Sequence, residues 1–234
     1  MKAYQIEIEL TGSDPLIWRR IVMPAGATFN RLHDVIQTVT NFTSGYPYEP
    51  SHLFEFTLSE ENIRVTNNEE AYQEHQHFKK NRKAIEKKMS EVDPKFSKYQ
   101  EVQLANLRKT VRKPTGIKVD NYIEKYGELN YNYDFGDGWQ FLVKLEGITE
   151  DYHYGYPTLI DGAETAPPED VGGMSGYYEF LKIFNNPKHP DHDDTRAWAN
   201  EQGYREYDER FLNDMLKSIK YKKTEWDKIN EKKA

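Results

Sequence analysis

The chain has 234 residues, a formal net charge of -7, 37% hydrophobic and 14% aromatic residues, and no cysteine. So small a charge per residue cannot keep the chain unfolded. The lack of cysteine excludes disulfides, thiolate zinc sites and cysteine nucleophiles. No run approaches the roughly 18 apolar residues of a helical membrane span, and Met1 to Leu10 carries no secretory core. The expectation is a soluble, cytoplasmic protein without a membrane partner.

Tyr4, Ile6, Ile8 and Leu10 alternate with polar residues, which predicts a strand with one wet face. Ile17 to Met23 predicts a second, with Trp18 and Arg20 on one face and Arg19 and Ile21 on the other. Thr28 can cap a helix over Phe29 to Thr40, whose apolar positions Phe29, Leu32, Ile36 and Val39 fall at helical spacing. His33 lies on the flank of that stripe, where a half-buried structural histidine is expected. A third strand runs through Phe54, Phe56 and Leu58, and a short fourth through Ile63 to Thr66.

Composition then shifts. Residues 66–113 hold 12 basic and 7 acidic residues, a balance of +5, against -12 for the remainder. Seven-residue recurrences (Phe78, Ile85, Val92; Arg82, Met89, Phe96) predict a helix, and Asp93-Pro94 can start another carrying Tyr99, Leu104, Leu107 and Val111. This reads as a basic two-helix insertion whose His75 and His77 are solvated on different faces.

Ile117 to Asp120 is a short extended piece, followed by one or two helical turns to Tyr126. Leu129 to Phe135 and Trp139 to Leu145 then form a hairpin about Gly136-Asp137-Gly138. Tyr154 to Gly173 reads as a long irregular loop. Ser175 is the expected cap of a helix carrying Tyr177, Phe180, Leu181 and Phe184. A helix at Thr195 to Glu201 and one capped by Asp208 follow, and the Lys-rich tail after Tyr221 is expected to fray.

Asp134-Phe135-Gly136 spells a kinase triplet, but the chain lacks the phosphate loop and catalytic loop that would give it meaning. Asp134, Asp137 and Trp139 form an acidic turn whose oxygens suit a hard cation, although Asp beside Gly is also ordinary turn chemistry. Glu169 and Asp170 are displayed between Pro167-Pro168 and Gly172-Gly173, a loop stiff enough for a preorganised site. That loop is expected to fold back over the hairpin, with Arg19, Arg20 and the Trp139 indole as donors to its carboxylates. His189 and His192, among Asp191, Asp193 and Asp194, are weaker metal candidates; helix capping explains them as well. No cofactor is predicted, and a divalent cation remains an option.

Several segments together resemble the plasmid pRiA4b ORF-3-like family. They are Pro15-Leu-Ile-Trp-Arg-Arg-Ile21, Leu32-His33 with Ile36-Gln37, and His52-Leu-Phe-Glu-Phe56. Tyr131-Asn-Tyr-Asp-Phe-Gly-Asp-Gly-Trp139, Leu145-Glu146, Tyr156-Pro157, Gly162, Pro167 to Gly173, Gly176-Tyr177 and His189-Pro190 continue the match over roughly residues 3–216. The resemblance implies an α+β fold, a mixed sheet packed with helices, and a link to plasmids and insertion sequences, with no assigned activity. Where many members carry His two residues after the hairpin Trp, this chain has Phe141. Where many carry Cys, it has Leu159 and Ala166. Its insertion is longer than usual.

The reading is one α+β domain over 1–220, mostly antiparallel, with the helical insertion at 66–113 and a tail at 221–234. The expected function is a cytoplasmic binding or adaptor protein of mobile elements with a protein partner, rather than an enzyme. One alternative is a metal-dependent hydrolase of nucleic acid or nucleotide, using Asp134, Asp137, Glu169 and Asp170 with His33 or His189. Another is nucleic-acid binding through the insertion.

Overall fold

The computed structural model describes residues 1–43, 52–90 and 97–224. The alternating N-terminus forms β1 (Ala3–Leu10) and pairs antiparallel with β2 (Trp18–Pro24), placing Ile6 opposite Ile21 and Ile8 opposite Arg19. The Thr28 side chain accepts from the Arg31 N–H and starts α1 (Phe29–Val39). β3 (Phe54–Leu58), β4 (Ile63–Thr66), β6 (Glu128–Tyr133) and β7 (Trp139–Thr149) keep the same alternation. With the short β5 (Thr110–Arg112) and β8 (Thr158–Ala163) they complete an eight-stranded sheet in the order β5-β4-β3-β6-β7-β1-β2-β8. Every pairing is antiparallel except β4 with β5, so the fold is α+β with a mixed sheet.

One sheet face is the core. Tyr4, Ile6, Ile8, Phe54, Phe56, Tyr131, Trp139 and Val143 lie there with Phe29, Leu32, Ile36 and Val39 of α1. The other face is polar: Arg20 bridges Glu7 and Glu146 at 2.6 Å each, and Lys144 holds Glu9. α4 (Asp120–Tyr126) runs into β6. α5 (Gly173–Phe184), α6 (His192–Glu201) and α7 (Glu209–Leu216) add Tyr177, Phe180, Ala199, Leu212 and Leu216 to the core. The chain stays on the body at Tyr221, whose hydroxyl donates to the Pro24 carbonyl.

α2 (Glu69–Ser90) and α3 (Ser97–Arg108) make up the helical part of the insertion. Val92, Phe96 and the Asp93-Pro94 helix start lie outside the described residues, as does the end of the tail. Three local expectations are corrected. Val111 belongs to β5, because parallel pairing with β4 extends it. The segment read as an irregular loop contains β8; it has too few branched apolar residues to signal a strand, and the open edge of β2 supplies its partners. α5 starts at Gly173, with Gly172 at the cap and no side-chain cap, so Ser175 is inside the helix.

Candidate functional site

The β3–β6 ladder ends at the pair Phe54 and Tyr133, and the Asp134 N–H continues it to the Leu53 carbonyl at 2.9 Å. The register therefore sets His52 beside Asp134, its Nδ1 3.5 Å from Asp134 Oδ2. Asp134 is held at φ 48°, its other oxygen accepting from the Gly136 N–H at 3.0 Å. One carboxylate oxygen thus shapes the turn while the other faces the imidazole.

The Pro-Pro-Glu-Asp loop folds back over this hairpin. Asn41 ties its approach by donating to the Ala166 carbonyl at 2.7 Å, and Ala166, Pro167, Pro168 and Glu169 are buried. Gly172 N–H donates to Asp137 Oδ2 at 3.0 Å. Gly173, at φ 70°, passes so near the Asp137 carbonyl that a Cβ would sit 2.8 Å from its oxygen. Asp137 is therefore a strut for the loop.

The docked loop delivers two carboxylates. Glu169 accepts from the Thr43 N–H at 2.8 Å and from the Tyr133 hydroxyl at 2.8 Å, and its Oε1 lies 3.9 Å from His52 Nε2. Burial raises the Glu169 pKa above the usual carboxylate value, against the pull of those two donors and of His52. Asp170 stands in the left-handed region at φ 56°, mostly exposed, with Oδ1 3.5 Å from His52 Nε2. Potential ligand atoms of His52, Asp134 and Asp170 all lie within 4.8 Å of one another. An imidazole with carboxylate oxygens suits Mn, Zn or Fe(II).

The expected donors to the loop are corrected. Arg19 is buried and gives its protons to the carbonyls of Val39, Trp18, Ala163 and Glu164 at 2.7–2.9 Å. Burial lowers its pKa to about 10. Arg20 points to the opposite sheet face. The Trp139 indole nitrogen is buried without a partner among the described residues, its ring packed 5.3 Å from Phe42. Backbone and phenol donors do the work because the loop lands on the end of β6, where Thr43 and Tyr133 already lie.

The remaining candidates sit elsewhere. His33 is buried, stacks on Phe54 at 3.8 Å and meets the Tyr131 hydroxyl at 2.7 Å; burial pushes its pKa down to about 3. His189 Nδ1 accepts from the Asp191 N–H at 3.2 Å, and His192 Nδ1 lies 3.1 Å from the Ile183 carbonyl. His189 lies in the α5–α6 connection and His192 opens α6, both apart from the carboxylate cluster. The sequence reading missed His52, Tyr133 and Thr43 as site residues. His52 and Tyr133 carried a signal, each as part of a segment that resembles the family (His52-Leu-Phe and Tyr131-Asn-Tyr-Asp); Thr43 carried none.

Comparison with known proteins follows the same segments. The family model described as Plasmid pRiA4b ORF-3-like protein matches residues 2–215. The chain belongs to this family. The uncharacterized protein y4hQ of Sinorhizobium fredii (strain NBRC 101917 / NGR234) is 26% identical over 200 residues, spanning 86% of this chain and 82% of the relative. A crystal structure of the protein of unknown function MM3350 from Methanosarcina mazei Go1 is similar with a TM-score of 0.58 and 28% identity. It covers 89% of this chain and 96% of that one. Both relatives are described as uncharacterised or of unknown function.

Proposed function

We propose that this pRiA4b ORF-3-like protein is a cytoplasmic binding protein of plasmid or other mobile-element origin, and that it engages its ligand through a divalent cation held by His52, Asp134 and Asp170. The carrying observation is that three ligand groups from three separated segments, two of them on aspartates in left-handed backbone, approach within 4.8 Å. Glu169 beneath them adds negative charge that a cation would neutralise. The family description supports the plasmid link.

The test is a thermal melt with 1 mM Mn, Zn or Mg, together with calorimetric titration of the same ions. Binding at 100 times Kd stabilises by about 2.7 kcal/mol, a rise of several degrees for a chain this size. His52→Ala and Asp134→Asn/Asp170→Asn should remove the rise. No shift with any of the three ions would overturn the proposal. The hydrolase alternative has one supporting observation, the solvent exposure of Asp170 beside the imidazole. Ion-dependent cleavage of nucleotide or nucleic acid, lost in His52→Ala, would favour it.

A further inference from the structure

The insertion encloses a second feature, a groove of about 600 Å³ between α2 and the β5 segment. Its walls carry Lys79 and Arg82 from α2, and Arg108, Arg112 and Lys113 from the chain opposite, and no carboxylate lines it among the described residues. Among the described residues, the acids paired with these cations, Glu86 and Glu69, are not part of the groove lining. Arg82 and Arg108 share the single carboxylate of Glu86 at 3.0–3.1 Å, and Lys113 pairs with Glu69 at 2.7 Å. Lys79 and Arg112 form no ion pair among the described residues. Burial first, and then the charges of Lys79 and Arg112, lower the pKa of His75, whose Nδ1 is buried in the same wall with no hydrogen-bond partner among the described residues.

Net positive charge left uncompensated in a groove attracts anions and focuses their approach. The arrangement also indicates which anion. A small phosphate calls for donors converging on one point, often backbone N–H groups at a helix start. Here the cations follow two backbone segments: Lys79 and Arg82 lie about one helical turn apart, and Arg108 to Lys113 run along the facing wall. α2 departs from helical geometry at Asn81, between the two, where the Asn81 side chain donates to the His77 carbonyl at 3.0 Å. Two rows of cations suit successive phosphates of a strand. The charge division points the same way: the insertion carries +5 and the rest of the chain -12, so a polyanion would be held at the groove and repelled elsewhere.

We propose that the groove between α2 and β5 is a phosphate-backbone site for nucleic acid, read without regard to sequence. It is separate from the His52 cluster, and either proposal can fail alone.

The test uses the full chain and fluorescence anisotropy of labelled 20-nucleotide single-stranded RNA, single-stranded DNA and duplex DNA, in 20–200 mM salt. Three to five phosphate contacts predict a log–log salt slope of about -2 to -4. Lys79→Glu/Arg112→Glu should weaken binding at least tenfold. Lys182→Glu/Lys188→Glu, an equal charge change on the acidic body, should not; circular dichroism checks that both variants fold. Three results would overturn the proposal: no binding at 20 mM salt, equal loss in the two double variants, or equal displacement of the strand by ATP or a poly-glutamate peptide at matched charge concentration.

Discussion

The loop junction around Glu169 and the groove of the insertion handle charge in opposite ways. At the junction, a carboxylate is buried and held by the Thr43 N–H and the Tyr133 hydroxyl, groups brought there from distant parts of the chain. In the insertion, cations stay exposed and pair, where they pair, with side chains that are themselves solvated. Phe78 and Val111 are buried in the insertion, yet neither belongs to the main core cluster. The first region is rigid because removing any part strands another. In the second, exposed ion pairs of this kind contribute little to stability.

The sharpest way to break this contrast is Glu169→Ala. It strands the Thr43 N–H and the Tyr133 hydroxyl and should cost about 2–4 kcal/mol in urea denaturation. Asp170→Ala, at the adjacent but exposed residue, should stay within about 0.5 kcal/mol. Near-neutral results for both would mean that the loop is not anchored through Glu169.

A pH series tests His33, outside the carboxylate cluster but with its ring 6.1 Å from that of Tyr133. Its folded pKa of about 3 lies below the ordinary value of about 6.5, because burial disfavours the imidazolium. Below pH 6.5 the unfolded chain takes up a proton that the folded chain refuses. Stability from this residue is therefore fully present above about pH 6.5 and falls by up to about 1.4 kcal/mol per pH unit towards pH 3. Glu169 acts in the reverse sense, since its raised pKa favours the folded state as pH falls. Urea midpoints of the wild type and His33→Gln at pH 7.5, 6.5 and 5.5 separate the two; an unchanged slope in the variant would remove His33 from the account.

The smallest effect is expected from the insertion. Replacing residues 70–112 by a short Gly/Ser linker changes loop-closure entropy by only about 1 kcal/mol and leaves the main core cluster intact. Differential scanning calorimetry should still show one cooperative transition. Its loss would place the insertion within the cooperative core, through the β4–β5 pairing that the deletion removes.

Much of the framework was legible because it rests on local periodicity. The alternation of β1, β3, β6 and β7, the Thr28 and Asp208 caps and the turn at Gly136-Asp137-Gly138 each depend on a few adjacent residues. The stiffness of Pro167-Pro168 and the freedom of Gly172-Gly173 were legible for the same reason, and so was the docking of their loop on the hairpin. β8 was not, because its partners lie across the sheet on β2. Nor was the true partner of Glu169: arginine is the better carboxylate donor in general, but Arg19 is spent on four carbonyls and Arg20 faces the other side.

By itself the sequence determined the family, the α+β class, the polar and apolar faces of the strands, and the separation of a basic insertion from an acidic body. Tertiary structure alone decided which side chains meet. His52 reaches Asp134 because both lie just past the Phe54–Tyr133 pair that ends the β3–β6 ladder, and it reaches Asp170 because a stiff loop lands on that same edge. Register and docking are long-range choices, set by burying one face of every strand at once. No short window of sequence holds that information.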